Sequence, residues 1–214
     1  MIEIKNYEVM NFANAIRGAR NPLLSWEKSD STYDDQANFR LGENDLKLAQ
    51  KLCHAGSDHR KFLRQVFVSV DITAPLYWWK EFDTYKVGTV ANSTSTMHTI
   101  HKNKISLDCF STEKTNAETL DVFMSVLEQL ESLRNSYLKT KDKNYWYSLI
   151  QLLPSSFNQL RTCTLSYENL INIYWTRKNH KLDEWVEFCD WIAALPYFRE
   201  IVIEPSVNSI NPTL

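Results

Sequence analysis

Hydrophobic and polar positions alternate through Val66–Ile72, where Val66, Val68, Val70 and Ile72 are separated by Phe67, Ser69 and Asp71. A period of two with β-branched residues on one face predicts a half-buried strand, and Pro75 ends it. The next run, Leu76–Phe82 (LYWWKEF), changes to helical spacing and predicts a short amphipathic helix carrying the chain back over the sheet. Lys86–His98 then turns polar, with Gly88, Asn92 and many Ser and Thr residues but little to bury. A polar loop held between a strand and an aromatic helix is a place to look for a ligand.

The same patterns assign the rest of the chain. Ile2–Val9 is expected to be a short strand, Phe12–Arg17 a helical turn that Gly18 and Pro22 break, and Arg20–Ala37 a long loop. Glu43–His54 places Leu46, Leu48, Ala49 and Leu52 on or near one face of a helix, and Ser57 or Asp58 can cap another running towards Leu63. Ile100–Phe110 is expected to be a hairpin-like or extended link. Thr115–Leu138 repeats Leu120, Phe123, Met124, Leu127, Leu130 and Leu133 at three- and four-residue spacing, the stripe of a long helix. Asn144–Leu153 is a shorter helix ended by Pro154. A helix from about Asn158 to Arg177 follows, capped by Ser155 or Ser156, with Leu160, Leu170, Ile171 and Tyr174 facing inward. Asp183–Leu195 is a last helix, Tyr197–Glu204 a terminal strand, and the tail from Ser206 is expected to fray.

These elements, without internal repeat or linker, predict an α+β fold in which residues 1–214 form a single domain with an antiparallel or mixed sheet and long helices. A chain of 214 residues can bury a substantial single core. Its formal net charge of −2, with no long basic run, points away from nucleic acid and from anionic membranes. No apolar stretch approaches membrane-spanning length and the start of the chain lacks a signal pattern, so a soluble, cytoplasmic protein is expected. Four widely spaced cysteines with no CxxC pair predict reduced, structural thiols. There is neither a GxGxxG nor a GxxxxGK[ST] loop, so side chains and helix ends must hold any nucleotide.

Two clusters carry candidate chemistry. Arg17, Arg20 and Asn21 stand near Ser29–Ser31 and could form an anion site; the same loop could instead be solvated, with its arginines paired to Asp34 and Asp35. His59, His98, His101 and His180 lack the spacing of a metal set, and no metal is expected.

Two blocks, HRKFLRQVFVSVDITAPLYWW with YKVGTVANSTSTMH, and LLPSSFNQLRTCTLSYENLINIYWTRKNHKLDEW, together resemble the flavin-dependent thymidylate synthases. The resemblance runs from about His59 to Leu195. Residues 41–200 would form the family-like core and 1–40 a divergent N-terminal segment. The family's pre-strand turn places its first His on His59, and its strand-ending Pro on Pro75. Within its RHRxxSxNExSxRY signature, Asn92 and the phosphate-facing Ser95 match, whereas the Arg-His-Arg triplet falls on Tyr85, Lys86 and Val87. The signature's Glu falls on Ser93 and its final Arg-Tyr on Met97 and His98. Leu153, Pro154, Thr164, Leu170 and Arg177 keep their places, and Glu168 stands where the family usually has a flavin-binding Arg.

The resemblance implies a homotetramer with FAD and a pyrimidine deoxynucleotide, dUMP, at subunit interfaces. Methylenetetrahydrofolate would supply the carbon added at uracil C5, and NADPH would be the reductant. Negative charge develops on the uracil carbonyls as C5 becomes nucleophilic, so cations must face them. Arg177 and Lys86 are the candidate catalytic cations. Ser95, Asn92, Arg177, Arg17 and Arg20 are the candidate substrate ligands, and His59, Asn92 and His98 the candidate flavin ligands. The lost triplet and the carboxylate at position 168 favour an alternative, a nucleotide-binding or structural relative that has lost flavin chemistry.

Overall fold

The computed structural model describes residues 2–205; the expected frayed tail lies outside the described residues. In chain order the elements are β1 (Glu3–Met10), α1 (Phe12–Arg20), β2 (Thr32–Tyr33), β3 (Phe39–Arg40), α2 (Glu43–His54), β4 (Phe67–Pro75), α3 (Leu76–Phe82), β5 (Val90–Ser93), α4 (Thr96–Thr99), α5 (Ala117–Thr140), α6 (Lys143–Leu152), β6 (Asn158–Ser166), α7 (Tyr167–Arg177) and α8 (Asp183–Ala193). A four-stranded sheet has the order β1-β4-β6-β5, and β2 and β3 make a small antiparallel hairpin. Between β4 and β6, Thr162 Oγ1 bonds Asp71, and Thr164 Oγ1 bonds Ser69 Oγ at 3.3 Å; rising numbers on one strand meet falling numbers on the other, so the pair is antiparallel. The fold is α+β, as the sequence pattern predicts.

The chain divides into two compact units. One takes the chain up to Lys5, Asp71–Thr84 and Ala91–Thr162; the other takes Asn6–Val70, Tyr85–Val90 and the chain from Cys163. In the first, the long α5 folds back on α6 and encloses Ile100, Ile105, Phe110, Leu127, Leu130 and Leu149. Trp78, Trp79 and Phe82 of α3 form a second buried aromatic group there, with the Trp79 Nε1–H donated to the Gln159 carbonyl at 2.9 Å. In the second unit, Val66, Val68 and Val70 are buried, as are Leu170, Ile171, Trp185, Phe188 and Ile192 of the packed pair α7 and α8. Phe12 packs edge-on to both Tyr167 and Tyr197.

The valine alternation of β4 places Val68, Val70, Ile72 and Ala74 on one fully buried face, as expected, and Pro75 ends the strand. Four expectations are corrected. Asn158–Arg177 is a strand and then a helix, because Cys163 and Leu165 face inward at a period of two while Ser166, not Ser155 or Ser156, caps the helix in a reciprocal box with Asn169. Leu160, expected inside, is consequently exposed on β6. Tyr197–Glu204 is not a strand; Arg199–Ile203 makes a π-helical turn that buries Ile201 and Val202 and accepts Gln50 Nε2–H on the Glu200 carbonyl. The helix after Ser57 is a 3₁₀ segment, Arg60–Gln65, and Ile100–Phe110 is a link with one turn whose Phe110 bridges to Phe157. Among the described residues, no helix is long and apolar enough to cross a membrane.

Candidate functional site

The polar stretch after α3 is fixed at both of its ends, each within one unit. In the second unit, Tyr85–Val90 lies against α7. Asn169 Nδ2 donates to the Val87 carbonyl at 2.6 Å, and Arg177 Nε donates to the Tyr85 hydroxyl at 2.8 Å. Gly88 has φ of +73°, and a Cβ there would press on the Asn169 carboxamide, so the chain needs glycine at this point. Thr89 Oγ1 is buried and has no partner among the described groups. In the first unit, the Ser95 side chain caps α4 by accepting from His98 N, and Thr94 N donates to Leu160 O at 2.9 Å. Trp146 Nε1 donates to the Met97 carbonyl at 3.3 Å and pins the same turn to α6.

Arg177 closes the C-terminal end of α7. Its guanidinium lies 4.8 Å from the Trp185 ring centre, and Nη1 approaches His180 Nε2 at 2.9 Å. His180 in turn accepts the Leu182 N–H on Nδ1. The resulting cation is oriented by an aromatic face, a phenol and an imidazole, and Lys86 projects from the neighbouring exposed loop. These are the two candidate catalytic cations, and the Arg177 side chain reaches the hydroxyl of Tyr85, the residue before Lys86.

The other predicted residues separate into distinct surroundings. Asn92 stands exposed on β5 and His98 on the α4 turn, both in the first unit with Ser95. His59, in the second unit, is exposed at the start of the 3₁₀ segment. The neighbouring Arg60 places Nε 2.9 and 3.1 Å from the two Glu168 carboxylate oxygens, so the carboxylate at position 168 carries its own countercharge.

Arg20 is the clearest departure from expectation. It is only 5% exposed and donates from Nε to Asp45 Oδ1 at 2.6 Å, while Ser29 Oγ and Ser31 N donate to Asp45 Oδ2 at 2.7 and 3.1 Å. The arginine–serine cluster is indeed an anion site, and its anion is the chain's own Asp45. Burial pushes the pKa of this fully buried carboxyl up, but hydrogen bonds from Ser31, Ser29 and Arg20 outweigh it and hold the group below its usual range. Asp30 completes the clamp by accepting from Asn44 N and Asp45 N at the start of α2. Neither arginine pairs with Asp34 or Asp35 as the solvated-loop alternative would have it; Asp34 holds Arg40 instead. Arg17 points away from Arg20's partners and bonds Asn14. Pattern reading missed Asp45 because a carboxylate inside a helix with apolar neighbours carries no periodic signal.

Two recesses open on the surface. A groove of about 780 Å³ follows α5, lined by Ile105, Leu107, Met124, Leu127 and Glu131 among others, and none of the candidate site residues reaches it. The other, of about 700 Å³, lies within the second unit and is lined by Asn11, Asn14, Arg17, Asn21, Trp26, Gln65 and Phe67 with Gly18. Among the described residues no group of three or more His, Cys, Asp or Glu side chains is placed to hold a metal ion.

With strand order and loop geometry established, comparison with solved proteins becomes informative. A crystal structure of thymidylate synthase X (ThyX) from Helicobacter pylori with FAD and dUMP is similar to this chain at a TM-score of 0.66, covering 95% of this chain and 96% of that one at 18% identity. The fold is that of thymidylate synthase X. A second Helicobacter pylori ThyX structure, also complexed with FAD and dUMP, gives the same TM-score and identity over 95% of this chain and 97% of its own. No protein-family model and no curated protein sequence matches the chain. The ThyX likeness therefore lies in backbone architecture, over 95% of this chain.

Proposed function

We propose that the protein binds a pyrimidine deoxynucleotide, dUMP, and acts as a flavin-dependent thymidylate synthase of divergent sequence. The observation that carries this reading is the docking of Tyr85–Val90 on α7, which sets an oriented Arg177 beside Lys86 in a chain with the ThyX fold. Arg177, with its fork geometry, and Lys86, as a point charge, would stabilise negative charge on the uracil carbonyls. Ser95 and Asn92 would take the nucleotide's phosphate and hydroxyl groups. Arg20 drops out of the substrate set because Asp45 occupies it.

His59, Asn92 and His98, the flavin ligands that the resemblance implies, are each exposed and would be open to a cofactor, and Thr89 Oγ1 is a buried hydroxyl with no partner among the described groups. When bound, the flavin would supply the relay of a methylene group and a hydride, with methylenetetrahydrofolate and NADPH as co-substrates. A homotetramer, as the family resemblance implies, would be the assembled form, and light scattering reporting a monomer would remove that element.

The Arg60–Glu168 pair favours a second reading, a nucleotide-binding relative without flavin chemistry, because the cation expected of position 168 is replaced by a neutralised ion pair. The visible absorption spectrum of the purified protein, followed by titration with FAD and dUMP, separates the two. Bound flavin whose spectrum shifts on adding dUMP supports the synthase. Binding of dUMP by a colourless protein that takes up no FAD supports the second reading, and failure to bind dUMP rejects both.

A further inference from the structure

The recess between α1, the Trp26 turn and the first residue of β4 combines features that a merely solvated surface does not require. One wall is a directed chain of hydrogen bonds: Arg17 Nη2 donates to Asn14 Oδ1 at 3.2 Å, Asn14 Nδ2 to Asn11 Oδ1 at 2.7 Å, and Asn11 Nδ2 to the Gln65 carbonyl at 2.9 Å. Each carboxamide is thereby oriented, and the chain terminates in a guanidinium that no acidic side chain among the described residues pairs with. Asn11 stands at the N-cap of α1, where such a side chain normally accepts a helix N–H. Here it caps nothing. Its backbone is left-handed, with φ of 74°, and its amide is spent on the recess instead.

The other wall is aromatic. Trp26 is 47% exposed and Phe67 is 39% exposed, yet both line the recess. The indole is not a free surface group, because its Nε1–H is tied to Asn21 Oδ1 at 2.9 Å, which fixes the ring plane. A volume of about 700 Å³ is of the size that small-molecule sites occupy. Stacking faces suit a flat heterocycle, oriented carboxamides suit its hydrogen-bonding edge, and an unpaired guanidinium suits a phosphate.

We propose that this recess is a separate binding site for a nucleoside monophosphate, with Arg17 on the phosphate and Trp26 stacked on the base. It takes Arg17 out of the set of candidate dUMP ligands and uses none of Arg177, Lys86, Ser95 and Asn92, so it stands or falls independently of the synthase reading.

The test is calorimetric titration of the full chain with AMP, UMP, the two parent nucleosides and inorganic phosphate, repeated on R17Q, W26L and the double variant K86Q/S95A. The expected result is binding of at least one nucleotide by the unaltered chain, weakened ~10-fold or more by R17Q and by W26L and left unchanged in K86Q/S95A. The nucleoside lacking phosphate should bind ~10-fold more weakly to the unaltered chain and be insensitive to R17Q. Arg17 is exposed, so R17Q retains the fold, and it decides the matter alone if W26L does not. Absence of binding by both nucleotides, unchanged affinity in R17Q, or loss of binding in K86Q/S95A would each overturn the proposal.

Discussion

Arg177 Nε donates to the Tyr85 hydroxyl at 2.8 Å, joining the end of α7 to the Tyr85–Val90 loop. Tyr85 thus helps to aim Arg177, together with Trp185 and His180. Y85F removes this acceptor and should cost about 1 kcal/mol of stability. Amide hydrogen exchange in Tyr85–Val90 should accelerate in the variant, with exchange in α5 unchanged. Equal protection in the two proteins would show that the hydroxyl does not hold the loop.

The buried carboxylate of Asp45 makes stability depend on acid. Its native pKa lies below the unfolded reference of 3.8, so its contribution is fully present above that value and is lost as pH falls through the native one. D45N, which leaves Arg20 buried without its anion, should lower stability at neutral pH by about 3 kcal/mol or more. The variant should also show a shallower dependence of stability on pH below 4 than the unaltered chain. Urea unfolding at several pH values measures both effects, and parallel curves for the two proteins would contradict the assignment.

Thiol chemistry supplies another check. Burial pushes the Cys53 thiol up to about 11 and the Cys189 thiol up to about 12, and Cys163 is fully buried. Cys109 is half-buried, and none of the four is in a disulfide. A neutral-pH titration with an aromatic disulfide reagent should label Cys109 rapidly and the other three only on unfolding. Fast labelling of two or more thiols in the folded protein would contradict the packing around α2, β6 and α8.

Gly42 precedes α2 and faces Asp30, whose carboxylate bonds the first amides of that helix. A Cβ at position 42 would lie inside van der Waals contact with both the side chain and the backbone of Asp30. G42A should therefore destabilise the protein by about 1–3 kcal/mol, although its backbone φ of −76° suits alanine. Thermal melting measures this, and an unchanged midpoint would show that Asp30 moves aside freely.

How much of this was legible in the sequence depended on whether a residue's role was periodic. The β4 valines and the α5 leucines repeat at their element's own spacing, so both elements could be placed from the pattern. β6 could not, because Leu160 falls into one helical stripe with Leu170, Ile171 and Tyr174 of α7. The Ser166–Asn169 box and the β-branched Thr162 and Thr164 held the information that separates them. The candidate site was legible only in part. The contact between Arg177 and the loop that carries Lys86 has no spacing signal, and the surroundings of Arg20 and Glu168 depend on Asp45 and Arg60, partners distant in the sequence that no spacing rule connects.

The Asp45 clamp also bears on how sequences of this kind can diverge. Arg20, Ser29 and Ser31 lie before α2, while their shared acceptor lies within it. A lineage that lost the acid would strand a buried guanidinium, and one that lost the donors would strand a buried carboxylate. These four positions should therefore change together or not at all, which ties the segment before α2 to the helix itself.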